Sequence, residues 1–322
     1  MGSSTTTGRG RRDLAGRLDV AVYERALLGE GPTWDAAGRR LVWVDILGAR
    51  VHGYDPATGR RTVMATEQHV GAAKPRAGGG LVVNLRDGVG LYDAPRPGGD
   101  ASRGTGDAGG SGSSGATPAR CAFHWLHHDP VPGRRGNDAA VAPDGALWAG
   151  TMGYREEPGA GTLTRIAPDG TATTVLDDVT ISNGLGWSPD GRLMYYVDTP
   201  TRRIDVFDVE EGGARIANRR ELAVVEEGAG FPDGLTVDAD GCIWVALWEG
   251  AAVRRYTPSG ALDRELRLPV RLPTACAFGG ADLTDLYVTT ARVGLTAPHP
   301  LAGSLLVVPG AGQGVAQAAF AG

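Results

Sequence analysis

Asp233 stands in a Pro-Asp-Gly tripeptide, which occurs four times in the chain, at 143–145, 168–170, 189–191 and 232–234. Proline presets φ, aspartate caps its own backbone and glycine accepts a positive φ, so the tripeptide is ordinary tight-turn chemistry. Gly145 and Gly191 serve as turn glycines at the head of a strand pair, and Gly170 follows a strand. Asp233 does not fit that use, because it lies eight residues before another such glycine, Gly241. Counting back eight from Gly38, Gly80, Gly145 and Gly191 lands on Glu30, Ala72, Asn137 and Asn183. Four of these five positions carry an oxygen-bearing polar side chain, which scattered turn residues do not explain. Glu30, Asn183 and Asp233 together offer two carboxylates and an amide oxygen, a set without Cys or His that suits a hard divalent cation. Held close together, two such carboxylates need a cation to offset their repulsion. Taken singly, each residue reads as a strand-end cap; three in one register favour the metal.

What must position them is a repeat. Short apolar or aromatic strands follow turn glycines in "AAGRRLVWVDILGARVHGYDPATG" (36–59), "AGGGLVVNLRDGVGLYD" (77–93), "PDGALWAGTMG" (143–153), "PDGRLMYYVDTPTRRIDVFDVEEG" (189–212), "ADGCIWVALWEGAAVRRYTPSG" (239–260) and "TDLYVTTARVG" (284–294). The five leading glycines are spaced by 42, 65, 46 and 50 residues. The long gap holds a Gly/Ser-rich run whose composition cannot pack, and removing 94–119 as a disordered surface loop cuts that gap to 39. A period near 40–50 built of short strands predicts an all-β fold, a six-bladed β-propeller with a central channel. A two-sheet sandwich would not explain the even spacing. In a propeller the first strand of each blade lines the channel, so the equivalent residues converge in a ring at one mouth. The expected organisation is a flexible tail over 1–20 and a single propeller domain over 21–322.

Composition narrows the partners. Net charge is −5 with no basic cluster, which argues against nucleic acid. No apolar run approaches the roughly 20 residues of a membrane span, and the N-terminus lacks the apolar core of a secretory signal. Cys121, Cys242 and Cys276 are odd in number and form no CxxC pair, so they read as buried, reduced thiols of a cytoplasmic protein. The expected assembly is a monomer or weak homo-oligomer.

Several motifs, in order, carry a resemblance: "GEGPTW", "R-x-ND", "GTM", "ISNGLGWSPDG", "YYVDT", "NRR" and "PDGLTVDADGCIWVA". The set is similar to the SMP-30/gluconolactonase/LRE family, over about Leu28 to Arg292. That resemblance implies a six-bladed propeller with one catalytic divalent cation at the end of its channel, and a sugar lactone as the small-molecule substrate. It places the family's metal ligands on Glu30, Asn183 and Asp233, with Asp233 also the proton donor and acceptor. It places substrate contacts on Arg135 and Asn137, and a further acid just past "GTM" on Glu156 or Glu157. Family members commonly continue Asn-Asp with Gly-Lys, whereas this chain has Ala139-Ala140. Oxygen ligands do not choose among calcium, magnesium, manganese and zinc (Ca, Mg, Mn, Zn).

Lactone opening by a cation acting as Lewis acid, with Asp233 as general base and acid, is thus the leading expectation. Two alternatives are an organophosphate- or phosphoester-hydrolysing propeller and a non-catalytic calcium-binding or interaction propeller. Other features read blandly. His124, His127 and His128 lack the Glu of an HExxH helix and suit an outer strand. Ser182 has no G-x-S-x-G setting. Trp43, Trp148 and Trp244 occupy matching positions expected between blades, while Asp45 and Asp198 match each other as site supports or strand closers.

Overall fold

The computed structural model describes residues 18–94 and 121–322. Among them, strands form six four-stranded antiparallel sheets, each running from an innermost to an outermost strand, as a six-bladed β-propeller. Strand β1 (Asp19–Val22) precedes the first blade, which comprises β2 (Gly29–Asp35), β3 (Arg40–Asp45), β4 (Arg50–Tyr54) and β5 (Arg61–Ala65). The second blade has β6 (Val70–Pro75), β7 (Leu81–Leu85), β8 (Gly88–Tyr92) and β9 (Phe123–His128). The third has β10 (Arg134–Val141), β11 (Leu147–Gly153), β12 (Gly161–Ile166) and β13 (Ala172–Val179). The fourth has β14 (Ser182–Trp187), β15 (Leu193–Asp198), β16 (Arg203–Glu210) and β17 (Arg215–Val224). The fifth has β18 (Phe231–Val237), β19 (Ile243–Trp248), β20 (Ala252–Tyr256) and β21 (Leu262–Arg267). In the sixth, β22 (Pro273–Gly279), β23 (Asp285–Thr290) and β24 (Leu305–Val308) are completed by β1 as the outermost strand.

Pairing of β1 with β24 completes the sixth blade and closes the ring, so that each sheet can bury both faces against a neighbouring blade. This strand takes in the last two residues of the span expected as tail, 1–20: Asp19 pairs with Val307 and Val20 with Leu306. Residues 1–17 of that tail, and all but the first residue of the loop expected at about 94–119, lie outside the described residues.

Each blade buries its faces against its neighbours. The second strands carry the bulk: Trp43, Trp148 and Trp244 lie on β3, β11 and β19, all essentially solvent-free. Trp244 meets Phe278 of the next blade edge to face, with ring centroids 5.8 Å apart. The outer strand β9 carries His124, His127 and His128, away from the channel.

The last segment of the chain is a strap. It leaves β24 and runs beneath the ring, touching the closing ends of several inner strands. The Ala239 N–H donates to the Gln313 carbonyl at 2.8 Å, and the Trp34 N–H to Gln317 Oε1 at 3.2 Å. Phe320 exchanges backbone bonds with the β6 end, donating to Pro75 at 2.9 Å and accepting from Ala77 at 2.8 Å. Its ring is fully buried against Ala72, Val82, Ala139 and Leu147. The Ala139 site, where the family resemblance breaks, thus packs against this phenyl ring.

Candidate active site

The ring positions counted from the turn glycines all fall on innermost strands: Glu30 on β2, Ala72 on β6, Asn137 on β10, Asn183 on β14 and Asp233 on β18. At each of them the register with the second strand slips: between Glu30 and Thr33, Val70 and Ala72, Gly136 and Ala139, Ser182 and Leu185, and Pro232 and Leu235. A bulge of this kind bends the strand and re-aims one side chain, a device common beside active sites. Gly31 follows Glu30 at φ 56, a left-handed conformation that glycine takes without strain. The sixth blade repeats the slip between Pro273 and Ala275, which makes Thr274 the sixth member. Thr274 turns aside, donating to the Gly29 carbonyl at 2.5 Å.

Asp45 and Asp198 fix the approach to two of these positions. Asp45 accepts from the Leu27 and Leu28 N–H groups, each at 3.0 Å, just ahead of Glu30. Asp198 accepts from Thr180 at 3.2 Å and Ile181 at 2.8 Å, just ahead of Asn183. Of the two roles open from the sequence, both residues clamp the segment entering an inner strand.

Direct hydrogen bonds tie three blades together at the site. Arg135 Nη1 donates to Asn137 Oδ1 at 2.6 Å, and Asn137 Nδ2 donates to Asn183 Oδ1 at 2.9 Å and to the Ser182 carbonyl at 2.8 Å. Asn183 Nδ2 donates to Thr199 Oγ1 at 2.7 Å, and that hydroxyl donates to the Pro232 carbonyl at 2.9 Å, one residue before Asp233. The chain of bonds leaves Asp233 and Glu30 as the two carboxyls without such neighbours. Glu30 accepts only the N–H of adjacent Gly31, at 3.1 Å. Asp233 Oδ1 is buried and has no hydrogen-bond partner among the described residues.

Burial, and then the charge of Asp138, pushes the Glu30 carboxyl up to about 8. Burial, then Glu30 and Asp138, holds Asp233 well above the usual carboxylate range. Burial is the main cause at each carboxyl, and neighbouring carboxylate charge adds to it. Lys74 supplies a counter-charge from β6. Its ammonium donates to Thr33 Oγ1 at 2.7 Å and to the Gly31 carbonyl at 3.3 Å, across the bulge that follows Glu30. Burial lowers its pKa, while Asp138 and Glu30 raise it.

Sequence reasoning missed Lys74, Asp138 and Thr199 as site residues. Lys74 carried a signal: it lies two residues from Ala72 on the same inward face of β6, where a charge is out of place in a blade core. Glu156 and Glu157 are both exposed beyond β11. The Glu156 charge acts on Arg135, and the Glu157 carboxylate lies against Gly153.

Among the described residues no three His, Cys, Asp or Glu side chains come together to hold a metal ion. A cation here therefore needs the Asn183 amide beside the two carboxylates. That oxygen accepts from Asn137 and has a second lone pair left. The unpartnered Asp233 Oδ1 and the oxygen-only donor set fit a hard divalent cation.

The six-bladed ring thus brings two buried carboxyls, two amides and an arginine onto its inner strands. The family model described as the SMP-30/Gluconolactonase/LRE-like region matches residues 28–292, and the chain belongs to that family. It is 33% identical to the 6-deoxy-6-sulfogluconolactonase of Pseudomonas putida, over 95% of this chain and 99% of that protein. It is 31% identical to regucalcin of Xenopus laevis, again over 95% of this chain and 99% of that one. The crystal structure of a calcium-binding protein, regucalcin from Agrobacterium tumefaciens, superposes with a TM-score of 0.81 at 29% identity, covering 94% of this chain and 96% of that one.

Proposed function

We propose that this protein hydrolyses sugar lactones, with Glu30, Asn183 and Asp233 holding one divalent cation at the channel mouth. The observation that carries the reading is Asp233: a buried carboxyl with one oxygen unpartnered, facing the charge of a second buried carboxyl. When bound, the cation would supply Lewis-acid polarisation of the lactone carbonyl and make a water more acidic. Asp233 takes one proton from the water as its oxygen bonds to the carbonyl carbon. As the ring C–O bond breaks, Asp233 returns that proton to the departing ring oxygen, and the product is an open-chain hydroxy acid. Arg135 and Asn137 are N–H donors already fixed in one hydrogen-bonded row, suited to lactone hydroxyls and to the developing oxyanion.

Asp233→Ala is expected to lower kcat for an aldonolactone at least about 10³-fold in a metal-replete sample. Chelation is expected to abolish wild-type turnover, with recovery on adding back divalent cation. Full turnover by Asp233→Ala would remove Asp233 from the chemistry. The resemblance to a solved calcium-binding regucalcin supports the cation, and the second reading is that it is bound without turnover. That reading prevails if calcorimetric calcium binding survives where no lactone is opened.

A further inference from the structure

At the channel mouth, one pair of side chains is held firmly yet faces solvent. His69 lies between β5 and β6, and Tyr154 just past β11, so they come from neighbouring blades. His69 Nδ1 and the Tyr154 hydroxyl are 2.7 Å apart, with the rings tilted by 59° at 5.7 Å between centroids. The backbone behind each is braced. Arg86 N–H donates to the His69 carbonyl at 3.0 Å, and Tyr154 N–H donates to the Gly133 carbonyl at 2.8 Å. Gln68, next to His69, both donates to Asp87 Oδ2 at 2.7 Å and accepts from its N–H at 3.1 Å. Tyr154 is nonetheless 42% exposed. An ordered aromatic ring kept open to solvent, with its hydroxyl already engaged, presents an apolar face to a ligand.

The pair adjoins the site. Tyr154 lies two residues beyond Met152, the cross-strand partner of Arg135, and His69 lies three residues before the ring position Ala72. At this rim Arg86 grips Asp87 through two bonds of 2.7 Å, while buried Arg135 donates to the Gly136 carbonyl and to Asn137 Oδ1. The C–H face of a sugar reaching this rim would meet an aromatic ring.

We infer that Tyr154, braced by His69, is a specificity-determining platform that packs against the carbon skeleton extending beyond the lactone ring. This rests on the lactone-opening reading above. The test is steady-state kinetics of wild type, Tyr154→Ala, Tyr154→Phe and His69→Ala on glucono-1,5-lactone and on δ-valerolactone, which has the same ring without substituents. Tyr154→Ala is expected to raise KM for gluconolactone roughly tenfold with kcat changed less than about threefold, and to leave KM for valerolactone within about twofold. Tyr154→Phe keeps the ring and most of the wild-type KM. His69→Ala, which leaves the platform unbraced, gives a smaller rise in the same direction and answers the question if Tyr154→Ala does not fold. Equal shifts for both lactones, or none for either, overturn the inference while wild-type turnover stands. A metal-replete wild type that opens neither lactone overturns the lactone reading itself, and the platform with it.

Discussion

Glu30 and Asp233 are carboxyls stripped of water and set against each other, and their titration follows from that. A folded-state pKa near 8 for Glu30, against 4.5 unexposed to the fold, means the folded chain holds a proton that the unfolded chain has lost between those values. Asp233 shifts in the same direction. The stability linked to these protons is complete below the unfolded pKa and disappears as pH climbs through the folded one. In metal-stripped protein, the urea midpoint should therefore fall between about pH 5 and 8, at up to about 1.4 kcal/mol per pH unit for each proton held. Added divalent cation favours the ionised carboxylates, so it should raise the midpoint more at pH 8 than at pH 5. A stripped protein that gains stability across this window would show that the two carboxyls are not buried together.

At the scale of the element, the inner-strand bulge makes a ring out of residues far apart in sequence. Gly184, next to Asn183, shows how closely these strands approach: a Cβ there would stand 2.5 Å from the Asp233 carbonyl oxygen and 2.6 Å from the Leu235 nitrogen. Both are backbone atoms of the next blade and cannot swing aside. Gly184→Ala should cost about 1–3 kcal/mol, measured by urea unfolding, and should depress lactone turnover beyond what the lost stability explains, because it spreads Asn183 from Asp233. Unchanged turnover would mean that the spacing of these two strands does not set the site. The same geometry explains why the ring was legible in the sequence. A bulge and a hairpin of constant length separate each ring residue from its turn glycine, so counting back eight finds Glu30, Asn137, Asn183 and Asp233. It fails in the sixth blade, where Asp282 stands eight residues after Thr274 and the left-handed positions are Gly280 and Leu283. Lys74 and Thr199 escaped because they reach the site by side-chain length and by a neighbouring blade's carbonyl, neither of which a strand period encodes.

At the scale of the whole molecule, closure comes from both ends of the described fold: β1 completes the sixth blade, and the strap ties the ring from beneath. The six blades follow from a repeat period that any reader of the chain can count. The strap does not, because "AGQGVAQAAFAG" has no strand pattern and its partners are the backbone ends of distant strands. Phe320 is its anchor. Phe320→Ala should remove about 3–5 kcal/mol, read as a lower urea midpoint, and should loosen the second and third blades, where the ring packs, in hydrogen exchange. A loss under about 1 kcal/mol would mean the ring contributes little and the backbone bonds alone secure the strap.

The strap also bears on the route to the site. It lies across the ends of β2, β6 and β10 and beside that of β18, opposite the strand starts that carry Glu30 and Asp233, so on the reading proposed here the lactone enters by the rim near Tyr154. A hydroxy acid made inside must then back out along the route by which the next lactone arrives. Turnover in such a cul-de-sac slows as its own output accumulates, and the acid obstructs the lactone by occupancy alone.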